Sequence, residues 1–342
     1  MKISRHSGFT LVELMVAITL GLLVTAAAIQ LYITGITSYN VQKAMSSIQS
    51  SASFGVNYIL DDVRKANLSA PSAYINDKQQ NAGILLTQDN VGIKKSNTEN
   101  ILGDNDLTRS GGGFSNVNNS NLEGSDQLTI RYSPNQIGYD CTGGEIALSD
   151  LKVLKGKTVI ADRNLQIIQR YKVHTNGSLT CRAMRYYPDE DFDSKGLLIS
   201  GKKIPTWNLN GEQAIIPSVD YMRIKLGYVK GALNNPTDMS YVSINDYLDA
   251  SKTPAVKKNI NGIQQSIKPN INVIQIGLLV QSNENAGNDS IVRNRNKQTF
   301  DVLGQSVTLN EKNQDTRLRQ VVSQTISLRN AMGWIEEGYV TP

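Results

Sequence analysis

Glu13 is where a chemical reading of this chain begins. It stands near the start of an apolar run from Phe9 to about Ile36. A carboxylate in a segment of hydrocarbon length is costly, roughly 2.5–3.5 kcal/mol on insertion scales, so it calls for a partner. The sequence offers one. A short leader carrying Lys2 and Arg5 stops at Gly8, and a cut between Gly8 and Phe9 creates an α-amino group four residues from Glu13. Within one helix or between neighbouring chains, that cation can meet the anion in lipid. The competing reading is a discarded secretory signal with an A-x-A site at Ala26-Ala27-Ala28. Against it stand an apolar run longer than the ~7–15 residues of such a core, and a buried acid that a discarded peptide does not need.

The other reactive side chains are few. Cys141 and Cys181 are the two cysteines. A sparse, even count beyond a translocated anchor reads as one disulfide formed in the periplasm. Two separate buried thiols are the alternative, and a zinc site would lack its usual four ligands. Beyond the leader one histidine remains, His174 in a predicted strand end, and it reads as a surface or packing residue. No G-x-S-x-G elbow, P-loop or H-E-x-x-H occurs. Asp104 and Asp106 alternate as calcium loops do, but Arg109 sits where the loop glycine belongs and the closing Glu is missing. The acidic run Asp189, Glu190, Asp191 and Asp193 reads as a solvated turn, and Gly111-Gly112-Gly113 as a flexible loop. The expectation is a chain that catalyses nothing and holds neither cofactor nor metal.

Gly8-Phe9-Thr10-Leu11-Val12-Glu13-Leu14-Met15 resembles the processing site of type IV pilins and type II secretion pseudopilins. The resemblance implies cleavage after Gly8 by prepilin peptidase, N-methylation of Phe9, and pairing of Glu13 with a neighbouring subunit's amine during assembly.

Charge argues against nucleic acid. The formal net charge is +5 over 342 residues, and it falls to +3 when the leader takes Lys2 and Arg5 away. That balance is small for the length, and no basic stripe is interleaved with aromatics. Tyrosine leads the aromatics, with 14 Tyr against 5 Phe and 2 Trp, which suits interfaces and half-buried sheet faces alike.

The elements that must carry these residues begin with one long helix. Ile48, Ala52, Val56, Ile59, Val63 and Ala66 recur at spacings of three and four, placing one apolar face well beyond the membrane-length run. Arg64 and Lys65 suit a helix end, and Pro71 forbids simple continuation. A helix from Phe9 to Asn67 would be about 90 Å long at ~1.5 Å per residue, with Gly21, Gly35 and Gly55 as points where it might bend. Between Pro71 and Gly124 the composition turns to Asn, Ser, Gly and Asp, and reads as an irregular surface excursion. Strand patterns follow. Gln127–Tyr132 alternates, and Leu165–Val173 and Leu179–Tyr187 flank an Asn176-Gly177 turn signal. Val219–Tyr228 alternates Val219, Tyr221, Arg223 and Lys225 against Met222, Ile224, Leu226 and Tyr228. Val273–Gln281 is continuously apolar, as a central strand is, and Gln320–Leu328 closes the series. Residues 229–270 and 282–316 read as connections.

SDQLTIRY at Ser125–Tyr132, the spaced cysteine pair, VDYMRIKLGY, VIQIGLLVQS and RLRQVVSQTISLRN, in that order, resemble the PilW-type minor pilins. The reading is an α+β, pilin-like fold whose long amino-terminal helix packs on an antiparallel sheet with long loop insertions. Its parts are a leader peptide (1–8), a transmembrane and filament-core helix (9–36), its amphipathic continuation (37–70) and a periplasmic β-rich domain (71–342). The resemblance implies a minor pilin of a priming or tip complex that initiates pilus assembly. Its implied partners are prepilin peptidase, other minor pilins, the major pilin, the inner membrane and the assembly platform there, with no direct nucleic-acid contact. It implies a single-pass inner-membrane protein that reaches the cell surface in the pilus. The alternatives are a J-like pseudopilin of type II secretion and a secreted, soluble β-rich binding protein released by signal peptidase.

Overall fold

A computed structural model describes residue 8 and residues 10–118, 124–155, 158–207, 211–230, 238–260, 263–287, 290–310 and 315–331. Phe9, and with it half of the expected cleavage site, lies outside the described residues.

One unbroken helix, α1 (Leu11–Lys65), fills the expected span. Its stop is local. Ala66 leaves helical geometry, its N–H donating to Val63 O, and Asn67 takes φ +65°. The Asn330 side chain then donates to the last carbonyls, Arg64 O at 3.2 Å and Ala66 O at 3.1 Å, so a residue far along the chain caps the helix. The predicted face is the buried one: Ile48, Ala52, Val56, Ile59, Val63 and Ala66 all enter the main core. None of the three glycines breaks the helix. Gly21 and Gly35 face open space, whereas Gly55 lets α1 lie against the sheet, since a Cβ there would overlap Ile216 Cγ1.

Two antiparallel sheets receive α1. The first is a meander in chain order: β1 (Arg109–Gly113), β2 (Ser125–Tyr132), β3 (Gln166–Val173), β4 (Leu179–Tyr186) and β5 (Gln213–Ile216). The second runs in the order β7 (Asp238–Ser243), β6 (Val219–Lys230), β8 (Ile271–Asn285), β9 (Arg317–Ser327). Asn176-Gly177 lies in the β3–β4 turn, where Gly177 has φ +76°; the loop spans 174–178, longer than two residues, and His174 N donates to Ser178 O across it. The apolar β8 is central, as its composition predicts. Met222, Ile224, Leu226 and Tyr228 of β6 face the main core shared with α1, while Tyr221 joins a second cluster with Val302, Val307 and Leu309.

Three expectations are corrected. First, the excursion after Pro71 is not all surface: Leu85, Val91, Ile93, Leu102 and Leu107 form a core of their own against Ile168 and Met184. Second, Gly111-Gly112-Gly113 is no flexible loop. It lies in β1, where a Cβ on Gly113 would stand 3.1 Å from Val173 N, so small residues admit close backbone approach. Third, the connections carry structure, including β7, a hairpin of Val256–Ile260 with Ile263–Ile267, and a second hairpin, Phe300–Val302 with Gln305–Leu309. That second hairpin covers the outer face of the β6–β8–β9 sheet.

Candidate functional site

Among the described residues, the amino-terminal half of α1 has no partner in its own chain. No residue in its most apolar 18-residue window is buried, and the mean hydropathy there is 2.3. From Leu14 to Gln42 the helix carries no ionisable Asp, Glu, Lys, Arg or His. At ~1.5 Å per residue that stretch exceeds the ~30 Å of a bilayer core. Its threonine hydroxyls need no water. Thr19 Oγ1 donates to Val16 O (2.9 Å), Thr34 to Gln30 O (2.9 Å) and Thr37 to Ile33 O (3.0 Å), and Thr25 donates to Gly21 O. Each of these four hydroxyls is thus satisfied inside the helix, as lipid requires.

Glu13 closes the start of this segment. Thr10 is the N-cap, and the two residues form a capping box. Glu13 N donates to Thr10 Oγ1 at 3.3 Å, while Thr10 N and Thr10 Oγ1 each donate to Glu13 Oε2 at 3.0 Å. Within the single chain, the acid therefore finds hydrogen bonds at the helix N-terminus, where the helix dipole also favours an anion. Both of these bonds fall on Oε2. Gly8 is exposed, and a Cβ there would meet no described atom within 4 Å. The sequence analysis takes Thr10 only as part of the processing motif, although Thr10-Leu11-Val12-Glu13 is also the T-x-x-E pattern of a capping box.

The cysteines stand at the other end of the molecule and are joined. Cys141 and Cys181 form a disulfide with Cα atoms 6.1 Å apart, tying the 140–144 turn to β4 across 40 residues of sequence. Asp140, which the sequence reading also passed over, organises that turn. It is fully buried and accepts from Thr142 N (2.9 Å), Thr142 Oγ1 (2.6 Å) and Gly144 N (3.0 Å), while Arg185 donates to its second oxygen from Nε at 2.9 Å and Nη2 at 2.5 Å. Tyr58 of α1 reaches the same turn, its hydroxyl donating to Asp140 O at 3.4 Å. Burial, reinforced by Asp62 and Asp140, pushes the Tyr58 phenol up to about 12.

The remaining candidates are structural. His174 Nε2 lies 3.7 Å from Glu212, whose carboxylate is also faced by Arg170, Lys172 and Arg182. Asp106 is taken up by Arg170 and by Gly103 N, and Asp104 accepts from Gln88 Nε2. Glu190 pairs with Arg163 at 2.7 Å, and Asp193 accepts from Lys195 N and Leu197 N. Among the described residues no three His, Cys, Asp or Glu side chains converge on one point. The two sheets are joined by buried charge. Across the sheets, Asp126 of β2 accepts from Ile224 N of β6 at 2.8 Å beside Arg223; within the second sheet, Arg319 Nε of β9 donates to Asp220 Oδ2 of β6 at 2.9 Å.

Residues 3–29 match the family model for the prokaryotic N-terminal methylation motif, and residues 177–330 match that for Type IV Pilus-assembly protein W, PilW. The first span takes in Gly8, Glu13 and the exposed apolar start of α1 as far as Ile29; the second runs from the β3–β4 turn through β9. No curated protein and no solved structure matches the chain. Together the two matches support a type IV pilus minor pilin of the PilW type, of the class processed by prepilin peptidase.

Proposed function

We propose that this chain is a building block of the pilus and catalyses no reaction. In this reading prepilin peptidase cuts after Gly8 and methylates Phe9. The mature chain crosses the inner membrane once, with α1 in lipid to about Ile36 and the β-rich domain in the periplasm. It then joins other minor pilins and the major pilin on the assembly platform, in a complex that primes the filament. Glu13 sets register there by pairing with a neighbour's amine.

The observation that carries this reading is the contrast along α1. Its second half buries one face in the domain, while its first half is apolar, free of charge beyond Glu13 and exposed. A helix of that kind needs lipid or the matching helices of other subunits. The capping box supports a role for Glu13 in both settings, because it gives the carboxylate partners before assembly and leaves Oε1 for an incoming ammonium.

Amino-terminal mass spectrometry of the exported protein tests the proposal. A chain beginning at N-methyl-Phe9 is expected. A chain beginning at Ile29, or one retaining Met1–Gly8, overturns it.

A further inference from the structure

Four strand edges end the two main sheets, and three are blunted. β1 is glycine-rich and its register shifts between Arg109 and Gly113. β5 has four residues and a shift between Ala214 and Ile216. β7 has six and opens on Asp238. The fourth, β9, differs. It pairs with β8 without a break from Val273↔Ser327 to Gln281↔Arg319. From Gln320 to Leu328 it carries no charge and no proline. Natural edges are normally short, charged, kinked or covered, because a long flat edge offers unpaired N–H and C=O groups to any other strand. Among the described residues no backbone group beyond β8 pairs with residues 319–327.

Beside this edge runs a groove. Its walls are Ala52, Ser53 and Val56 of α1 and Gln320, Val322 and Gln324 of β9. Gln320 Oε1 is buried there and accepts no hydrogen bond. An orphaned buried acceptor is costly, by about 1–3 kcal/mol, and a strand N–H laid into the groove would satisfy it. The α1 wall is uncharged as well, from Ala44 to Leu60, so the groove selects an uncharged segment.

From this edge we infer that β9 takes an extended, uncharged strand from a different pilin-class subunit by β-strand addition. The inference rests on the pilin reading above. The groove wall is the same continuous helix whose exposed half packs with other subunits, so both contacts lie along one line. A second copy of this chain does not fit. Antiparallel β9–β9 pairing requires a two-fold axis normal to the sheet, which reverses any direction lying in the sheet plane. α1 lies on the sheet face, so the two membrane segments would point in opposite directions.

The test uses full-length protein in cells that assemble pili, with a photoreactive benzoylphenylalanine placed at Gln324 and, as a control, at the exposed Ile137. Cross-links from position 324 to a strand segment of another pilin-class subunit, identified by mass spectrometry and absent from position 137, are expected. Gln324→Lys should lower co-purification of that subunit by about tenfold, an edge charge being a natural block to strand pairing, while leaving the melting temperature and leader cleavage unchanged. Cross-links to a second copy, to lipid alone or to a helix overturn the inference, as does their absence from cut, pilus-incorporated chain. An uncut leader in these cells overturns the pilin reading as well, and the amino-terminal mass separates the two failures.

Discussion

The two halves of α1 are built on opposite rules within one continuous helix. Leu23 is 66% exposed and Ile48 is 0% exposed, yet both are aliphatic residues of the same element. In the second half, apolar residues recur on one face and much of the rest is Ser, Gln, Asn and charged residues; a domain of the same chain covers the apolar face. In the first half apolar residues surround the helix, and no described residue of the domain covers them. The lesson is that burial measured inside one chain says little about how costly a substitution is when the helix's other solvent is lipid. Hydrophobic periodicity marks the intramolecular contact, and its loss marks the intermolecular one.

Paired substitutions break this comparison most sharply. Ile48→Ala should destabilise the domain by about 2–5 kcal/mol through a core cavity, read by thermal unfolding of the full chain in detergent. Leu23→Asp should leave that unfolding unchanged and instead cost roughly 2.5–3.5 kcal/mol of insertion, read as loss of the chain from the membrane fraction. Equal effects on the domain would show that the two halves are one cooperative unit.

Cys141→Ser comes next. Releasing a bridge across 40 residues should cost about 4 kcal/mol by the chain-entropy argument, lowering the unfolding midpoint and protease resistance while sparing membrane retention. Asp126 should give the domain a pH signature. Burial pushes its carboxyl up to about 6 despite Arg223 and the Ile224 N–H, against an ordinary 3.8. The folded state then favours the protonated acid, so this contribution to stability is full below about pH 4 and is lost as pH rises through about 6. The loss is about 3 kcal/mol, and unfolding of Asp126→Asn should be flatter over that window. The smallest effect is expected at Gly55. Alanine there would normally favour a helix, but its overlap with Ile216 should cost about 1–3 kcal/mol, seen as a lower melting temperature that Ile216→Val partly restores.

Much of this architecture is legible in the residues because it obeys simple periods. The buried positions of α1 follow the helical repeat, the β3–β4 turn follows Asn176-Gly177, and the run of apolar residues in β8 marks a strand covered on both faces. The failures share a cause. β2 reads as alternating, yet every one of its residues is buried, because α1 lies on one side and the 84–108 segment on the other. Arg223 reads as one of the polar residues alternating along β6, yet it is interior, as is Asp220, since Asp126 and Arg319 neutralise them. Those partners lie about a hundred residues away, and no local pattern announces them. Leu85 and Leu102 are scattered among polar residues and belong to a core without a period. At the site, Gly8 and Glu13 are legible from their motif, while Asp140 is visible only once the chain has folded around it.

The central claim is that Glu13 is retained in an apolar helix because a neighbouring subunit's new amine meets it. The most direct measurement is the amount of this chain in sheared surface pili from cells carrying Glu13→Gln, normalised to its amount in the membrane. Glutamine keeps an oxygen for the Thr10 cap but loses the charge. The account predicts normal cleavage and N-methylation with incorporation reduced by about tenfold or more, the equivalent of roughly 1.4 kcal/mol. Wild-type incorporation of this variant would contradict it.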